Sequence, residues 1–223
     1  MSIFIIKIIA CITMVLDHIK YAIPETRNFF TIYFGRMSYP LFAFLIGEGY
    51  CHTRNLKKYY KRLLICGIIS QIPFMLFRTL VGEWKMLNIM FTLILGLIAV
   101  TIFDKYKNKW YIWLPSVFGI AFLGQVLRVD YSWFGVATVF ILYVFRNQKI
   151  LRILAFLILT ILSYFVRTNG AYSVEVVLKI VFTVFPVVLL CFYNGKLGKK
   201  TKYLYYVFYP AHMLIFYAIN QFL

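Results

Sequence analysis

The first apolar segment of the chain, residues 3–23, contains a carboxylate and an imidazole side by side, Asp17 and His18. Ionisable groups are costly inside a lipid bilayer, and in a membrane-spanning helix they mark a functional site by default. Lys7 precedes His18 by eleven residues. That spacing is three helical turns plus about 20°, which places both side chains on one helix face, roughly 16 Å apart along the axis. The face therefore predicts one wall of a polar track through a membrane protein, although an interfacial Lys7 and a packing His18 also fit the pattern.

The second apolar segment, residues 29–50, adds two charged groups, Arg36 and Glu48. The guanidinium of Arg36 keeps its charge, so it needs an anionic ligand or a carboxylate partner, for which Asp17 is the structural candidate. Glu48 lies near the predicted inner helix end, where it is either a cavity group or an interfacial partner of the basic residues that follow.

A dense basic cluster follows this segment. Five of the nine residues from 54 to 62 are basic, namely Arg54, Lys57, Lys58, Lys61 and Arg62. Such a cluster beside a membrane segment is an orientation signal. Clustered lysines and arginines with neighbouring tyrosines also suit the phosphates and the adenine ring of a cytoplasmic nucleotide cofactor. Composition leaves both interpretations open.

Further polar residues recur in or near the other predicted helices. Each alone is explained by helix packing, but together they indicate a hydrated cavity that opens toward the outer face. Asp17 and His18 point about 100° apart on a helix, so a carboxylate that orients His18 must come from another helix, and Asp130 is the candidate. The cavity candidates are Glu48, Gln71, Asn88, Asp130, Tyr209 and His212.

No sequence motif indicates a metal site or a covalent nucleophile. The four cysteines lack metal-ligand spacing, so no metal site is predicted. The sequence also lacks the signatures of a nucleophile elbow, a zinc protease helix, a phosphate loop or a dinucleotide-binding turn. An enzyme of this sequence would therefore use a positioned histidine and a reactive cofactor.

The elements that must position these residues are apolar helices. The chain is 63% hydrophobic and 14% charged, against about 25% charged residues in soluble domains. We therefore expect an all-α fold, a polytopic integral-membrane bundle of about nine transmembrane helices (roughly 8–10) that forms a single domain over residues 1–223. The predicted helices are 3–22, 29–50, 60–80, 86–103, 110–127, 131–146, 149–166, 175–192 and 203–222.

The net charge of +17 reflects membrane orientation and does not indicate a nucleic-acid partner. Of the 24 lysines and arginines, 15 fall in alternate connections, 6 fall in the intervening connections, with Lys20 assigned to the first of these, and 3 lie within helices. By the positive-inside rule, this alternation predicts a cytoplasmic N-terminus and an external C-terminus in a multi-pass protein.

Blocks of the sequence, in chain order, resemble the TraX family of membrane proteins. The family is named for the conjugative-pilus acetylase, so the resemblance implies a bacterial inner-membrane acetyltransferase that moves an acetyl group from acetyl-CoA to an amine or hydroxyl acceptor, such as a protein N-terminus. The blocks are MVLDHI (14–19), GRMSYPLFAFLIGEGYCHTRNLKKYYKRL (35–63), SQIPF (70–74), LNIMFTLILGL (87–97), RVDYSWFGVA (128–137) and YLYYVFYPAHMLIFY (203–217).

A weaker resemblance is to the acyltransferase family 3 membrane enzymes, which carry a basic residue, ten intervening residues and then a catalytic histidine, as Lys7 and His18 do here. Their paired basic motif corresponds to Lys58 and Lys61, with lysines in place of the usual arginines. In our leading hypothesis His18 is the general base, Arg36 or another polar group stabilises the oxyanion, and Asp17 is a third catalytic candidate. The acyl-CoA donor would be bound by Lys7, Arg54, Lys57, Lys58, Lys61 and Arg62.

Two other classes of function remain open. In a proton-coupled transporter or channel, the histidines, Lys7, Asp17 and Arg36 would form a proton relay. The odd helix count and the absence of an internal repeat weigh against a transporter. A non-catalytic assembly factor of the cell envelope would not need His18.

Overall fold

The computed structural model describes residues 1–199 and 204–223, which are helical apart from short connections. No β-strand occurs in these residues, only an isolated bridge between Leu87 and Val129. The all-α prediction is confirmed. The helices are α1 (Ile3–Ala22), α2 (Phe29–Tyr33), α3 (Ser38–His52), α4 (Leu56–Thr79), α5 (Ile89–Lys105), α6 (Trp110–Val126), α7 (Ser132–Val144), α8 (Lys149–Arg167), α9 (Val174–Leu189) and α10 (Leu204–Phe222).

Four helical segments are long and apolar enough to cross a membrane among the residues described. A 3-10 turn, Phe34–Met37, joins α2 to α3, and another 3-10 turn extends α9. The four segments are Phe29–His52, Leu56–Thr79, Lys149–Arg167 and Val174–Phe192. The count of nine crossings stays a prediction.

Exposed apolar surface is the second mark of a membrane protein. On α4, Ile68, Ile69 and Ile72 are 60%, 61% and 69% exposed. Phe118 and Phe122 of α6 are equally open. Contiguous apolar surface of this kind is rare on soluble monomers and matches a lipid-facing helix.

The described chain divides into two compact units. The first comprises Met1–Phe42, Ile72–Trp84 and Thr160–Leu223, and the second comprises Ala43–Gln71 and Lys85–Leu159. The single domain expected from the sequence stays a prediction.

In the first unit, α1 packs against α10, and the two helices run in the same direction. Near the start of both, the Lys7 ammonium lies 4.8 Å from the ring centre of Tyr205. At the far end, the Asn220 amide donates to the carbonyl of Ala22 over 2.9 Å. If both helices cross the membrane, a parallel pair requires an odd total number of crossings.

The segment before α10 lies at the start of α1. The amides of Ile3 and Phe4 donate to the carbonyls of Lys196 and Leu197, over 2.9 and 3.2 Å. These bonds occupy two of the amides that a helix leaves unpaired at its first turn. The N-terminus and residues 196–197 therefore share one end of the first unit.

In the second unit, α5, α6 and α7 pack on one another. The contact between α5 and α7 is close at Gly96, where an added Cβ would lie 2.6 Å from the Cβ of Val139. Small residues at helix crossings allow such approach in membrane bundles. The buried core of these three helices contains Leu95, Ala99, Val117, Val129 and Val136.

Candidate functional site

The centre of the candidate site is a pair of histidines from opposite ends of the chain. Nδ1 of His18 on α1 lies 2.9 Å from Nε2 of His212 on α10. The two rings are nearly parallel, with centroids 5.1 Å apart and an angle of 20° between their planes. His212 is 5% exposed, whereas His18 is only partly buried. The pair therefore combines one enclosed histidine with one that is only partly buried.

Aromatic side chains enclose the pair. Phe77 of α4 meets the edge of His18, with ring centroids 5.0 Å apart. On α10, Phe208 stacks on His212 at 5.1 Å, Tyr209 lies at 5.7 Å and Phe216 meets it edge-on at 6.1 Å. Water-poor surroundings strengthen hydrogen bonds and favour the neutral form of an imidazole.

Asp17 forms an ion pair with Lys20, a residue that the charge pattern had counted with a connection. Lys20 was predicted in a connection, but it lies within α1, and its ammonium is 2.5 Å from Oδ1 of Asp17. Asp17 and Lys20 are 8% and 7% exposed, and Lys20 also donates to the carbonyl of Thr31 over 3.3 Å. Positions three apart share a helix face, so Lys20 balances the buried carboxylate from its own helix, and the charge of Arg36 also attracts that carboxylate.

Arg36 lies in the 3-10 turn that packs against this part of α1. The preceding residue, Gly35, approaches α1 so closely that an added Cβ would lie 2.6 Å from the Cα of Asp17. Arg36 is partly buried. The structure thus brings the three catalytic candidates, Asp17, His18 and Arg36, into one compact unit.

Lys7 and His18 share the α1 face that contacts α10. Lys7 is partly buried, and its ammonium lies over the ring of Tyr205. The Tyr205 hydroxyl is buried and, among the residues described, has no hydrogen-bond partner. The one-face prediction made from spacing agrees with these contacts, while Tyr205 was not singled out from the sequence.

Four of the five residues of the basic cluster lie in the first turns of α4, and Arg54 lies in the short connection before that helix. The prediction began this helix at residue 60, but α4 begins at Leu56, because Asn55 accepts a hydrogen bond from the Lys58 amide over 2.9 Å and caps the first turn. Arg62 lies 5.5 Å from the ring centre of Tyr59. The exposed members of the cluster are Arg54, Lys57, Lys58 and Lys61.

Two predicted cavity residues are structural. The side-chain amide of Asn88, which is fully buried, donates to the carbonyl of Gly67 over 2.7 Å and to Gln71 over 2.9 Å. Its Oδ1 caps α5 through the amide of Met90. The Gln71 amide donates to the carbonyl of Met86 over 2.8 Å. Gln71 and Asn88 therefore clamp α4 to the start of α5, and their assignment to a cavity wall stays a prediction.

The remaining candidates, Glu48 and Asp130, belong to the second unit. Glu48 lies 3.5 Å from Nε2 of His52. Asp130 belongs to the second unit, where its backbone accepts from Thr92 and donates to Leu87. The bonded partner of His18 Nδ1 is a histidine, which corrects the expected carboxylate. Spacing could not have revealed this pair, because its members are 194 residues apart.

The described residues contain no group of three or more histidine, cysteine or acidic side chains that could hold a metal ion. The site itself contains an imidazole pair and a buried carboxylate that is paired with an ammonium group.

The chain is similar to a named protein and matches a family model. It is 27% identical over 240 residues to a probable fimbrial assembly protein, FimC of serogroup H1, from Dichelobacter nodosus, with all of this chain and 97% of the relative covered. No solved structure matches. The family model described as TraX protein matches residues 2–220, and the chain belongs to the TraX family.

Proposed function

We propose that this protein is a membrane-embedded acetyltransferase that moves an acetyl group from acetyl-CoA to an amine, such as a protein N-terminus, or to a hydroxyl acceptor. Membership of a family associated with pilin acetylation supports the reaction class. The relative named as a fimbrial assembly protein supports a pilin-related acceptor. The observation that carries the proposal is the His18–His212 pair, since it leaves a partly open imidazole held inside an apolar bundle.

In the proposed step, the acceptor nitrogen attacks the thioester carbonyl, the C–N bond forms and the C–S bond breaks. His18 takes the proton that the acceptor nitrogen loses and returns it to the thiolate of CoA as that group leaves, so the imidazole ends the cycle neutral. A positioned general base contributes about 10²- to 10⁴-fold to such a reaction. Arg36 is the proposed donor to the oxyanion, because its charge persists and it lies in the turn against α1. Asp17, held by Lys20, stabilises that turn electrostatically.

The first turns of α4 are the proposed phosphate site. Lys57, Lys58 and Lys61 are exposed there, at the positive end of the helix dipole. Cations at a helix N-terminus are unfavourable by themselves, whereas an anion at the same end is favoured. Phosphate groups of CoA would turn this unfavourable arrangement into a favourable one. Lys7 of α1 and the Tyr205 hydroxyl of α10 are the proposed polar contacts of the donor.

The proposed location is the bacterial cytoplasmic membrane, with the N-terminus inside and the C-terminus outside. The hydrogen bonds between the start of α1 and the carbonyls of Lys196 and Leu197 support placing these two segments on the same side of the membrane. The parallel α1 and α10 support an odd number of crossings. The bilayer, an acyl-CoA and an external acceptor are the proposed partners.

The reaction is tested with purified protein in nanodiscs, radiolabelled acetyl-CoA, and a panel of peptides with free N-termini, small amines and hydroxyl compounds. Transfer to one acceptor class supports the proposal. Matched peptides with acetylated N-termini control for side-chain transfer.

A second candidate is an assembly factor without chemistry, and the name of the relative favours it. The same assay separates the two functions. If no panel member is acetylated while the protein still binds a fimbrial subunit, the protein is an assembly factor, and His18 serves packing alone.

A further inference from the structure

The hydrogen bonds of His212 determine where the protons of the histidine pair lie. Nδ1 of His212 is 2.9 Å from the carbonyl oxygen of Phe208. A carbonyl oxygen can only accept, so Nδ1 of His212 carries the hydrogen and donates it. In a neutral ring, the other nitrogen then has a free lone pair. Nε2 of His212 is therefore an acceptor.

His18 faces that acceptor. Its Nδ1 lies 2.9 Å from Nε2 of His212. For two neutral rings, His18 must donate from Nδ1, and its own Nε2 is left with the lone pair. We infer that His212 is a positioning residue that holds His18 in the Nδ1–H tautomer, so that Nε2 of His18 is the basic nitrogen.

The packing around His212 keeps this arrangement in place. Phe208 stacks almost parallel to the ring, with an angle of 11° between the planes, and Phe216 lies across its edge at 88°. With 5% exposure, the ring cannot exchange its two protein partners for water. Reversing the ring would break the bonds to both His18 and Phe208, so His212 presents a fixed acceptor to α1.

The consequence for catalysis rests on the proposed acetyl transfer. A catalytic base works best when a third group fixes its tautomer and orientation. When Nε2 of His18 takes the proton of the acceptor, His18 becomes an imidazolium whose Nδ1–H still donates to His212. His212 thereby stabilises the charge that forms. It acts through His18 and touches neither the acceptor nor the thioester.

The tautomer is measured directly by nitrogen NMR of protein labelled with ¹⁵N-histidine in nanodiscs at neutral pH. The chain has three histidines, and the signal of His52 is removed with His52→Gln. We expect His18 to be protonated at Nδ1 and bare at Nε2. In His212→Leu, which has similar bulk and no acceptor, His18 should shift toward the Nε2–H form. A proton on Nε2 of His18 in the unaltered protein would overturn the inference.

Kinetics test the positioning role. His212→Leu should lower kcat by at least about 100-fold, up to the roughly 10⁴-fold loss that a wrong tautomer causes in a triad. The KM for acetyl-CoA should stay within about threefold, because His212 does not touch the donor. In His212→Gln, the side-chain oxygen can still accept from His18, so kcat should recover to within about tenfold of normal.

An equal loss in both His212 variants, with both folded, would reduce the histidine to packing and overturn the role. If the unaltered protein shows the expected tautomer but transfers no acetyl group, the proposed function fails while the proton assignment stands.

Discussion

The buried pair of Asp17 and Lys20 gives the sharpest prediction about stability. Their side chains are 11% and 5% exposed, and the charged atoms are 2.5 Å apart. Solvent screening at such burial is slight, and removing one member leaves the other charge with weaker compensation. Breaking a buried pair in this way typically costs about 3–5 kcal/mol. Lys20→Met, which keeps the length of the side chain, should therefore lower the free energy of unfolding by about 3 kcal/mol, or roughly two orders of magnitude in the folding equilibrium.

The assay is reversible unfolding in mixed micelles, followed by circular dichroism. The double variant Asp17→Asn with Lys20→Met removes both charges and should be at least about 1.5 kcal/mol more stable than Lys20→Met alone, because residues in contact couple by this order. Lys179→Met is the matched control, since its bridge to Glu175 is more open to solvent, and it should leave stability unchanged. A loss below about 1 kcal/mol for Lys20→Met would refute a buried, charge-balanced pair.

Three further outcomes follow from the geometry. Gly35→Ala should lower the free energy of unfolding by about 1–3 kcal/mol, because the added Cβ would lie 2.6 Å from the α1 backbone. Gly119→Ala is the control and should not destabilise the fold, because its added Cβ would have no heavy atom within 4 Å. Equal effects of the two substitutions would contradict the close approach of Gly35 to α1. The double variant Lys58→Glu with Lys61→Glu should weaken acetyl-CoA binding more than tenfold in calorimetry, or by about 1.4 kcal/mol. The control Lys149→Glu, in the first turn of α8, should leave acetyl-CoA binding unchanged. Unaltered binding in the double variant would mean that the basic cluster is an orientation signal only. A reporter that is active only in the cytoplasm should work in the α5–α6 connection and be silent at the C-terminus, and the reverse pattern would overturn the orientation.

The positions of the helices could be predicted from the sequence, because long apolar runs are the strongest local signal that a chain carries. The shared face of Lys7 and His18 could also be predicted, since helical periodicity alone determines it. The start of α4 was missed by four residues. Asn55 was the available signal, as a side-chain cap ahead of the basic turn.

Tertiary pairing could not be predicted in the same way. His212 was a candidate only as an isolated polar residue, because nothing local indicates that α10 returns beside α1. Lys20 was counted with the first connection although it falls inside the predicted helix 3–22, and its contact with Asp17 appears only once the fold buries both groups. Gln71 and Asn88 suggested a cavity because the sequence does not show that these two side chains bond to each other and to the carbonyls of Met86 and Gly67.

The central claim is that His18 is the base of an acetyl transfer, and single-turnover transfer by His18→Gln tests it most directly. Glutamine keeps similar size and hydrogen bonding but cannot take a proton at neutral pH. Transfer should fall by at least about 10²-fold, while acetyl-CoA affinity stays within a few-fold of normal. His52→Gln, the same substitution at an exposed histidine, should transfer at the normal rate. Near-normal transfer by His18→Gln would contradict the account.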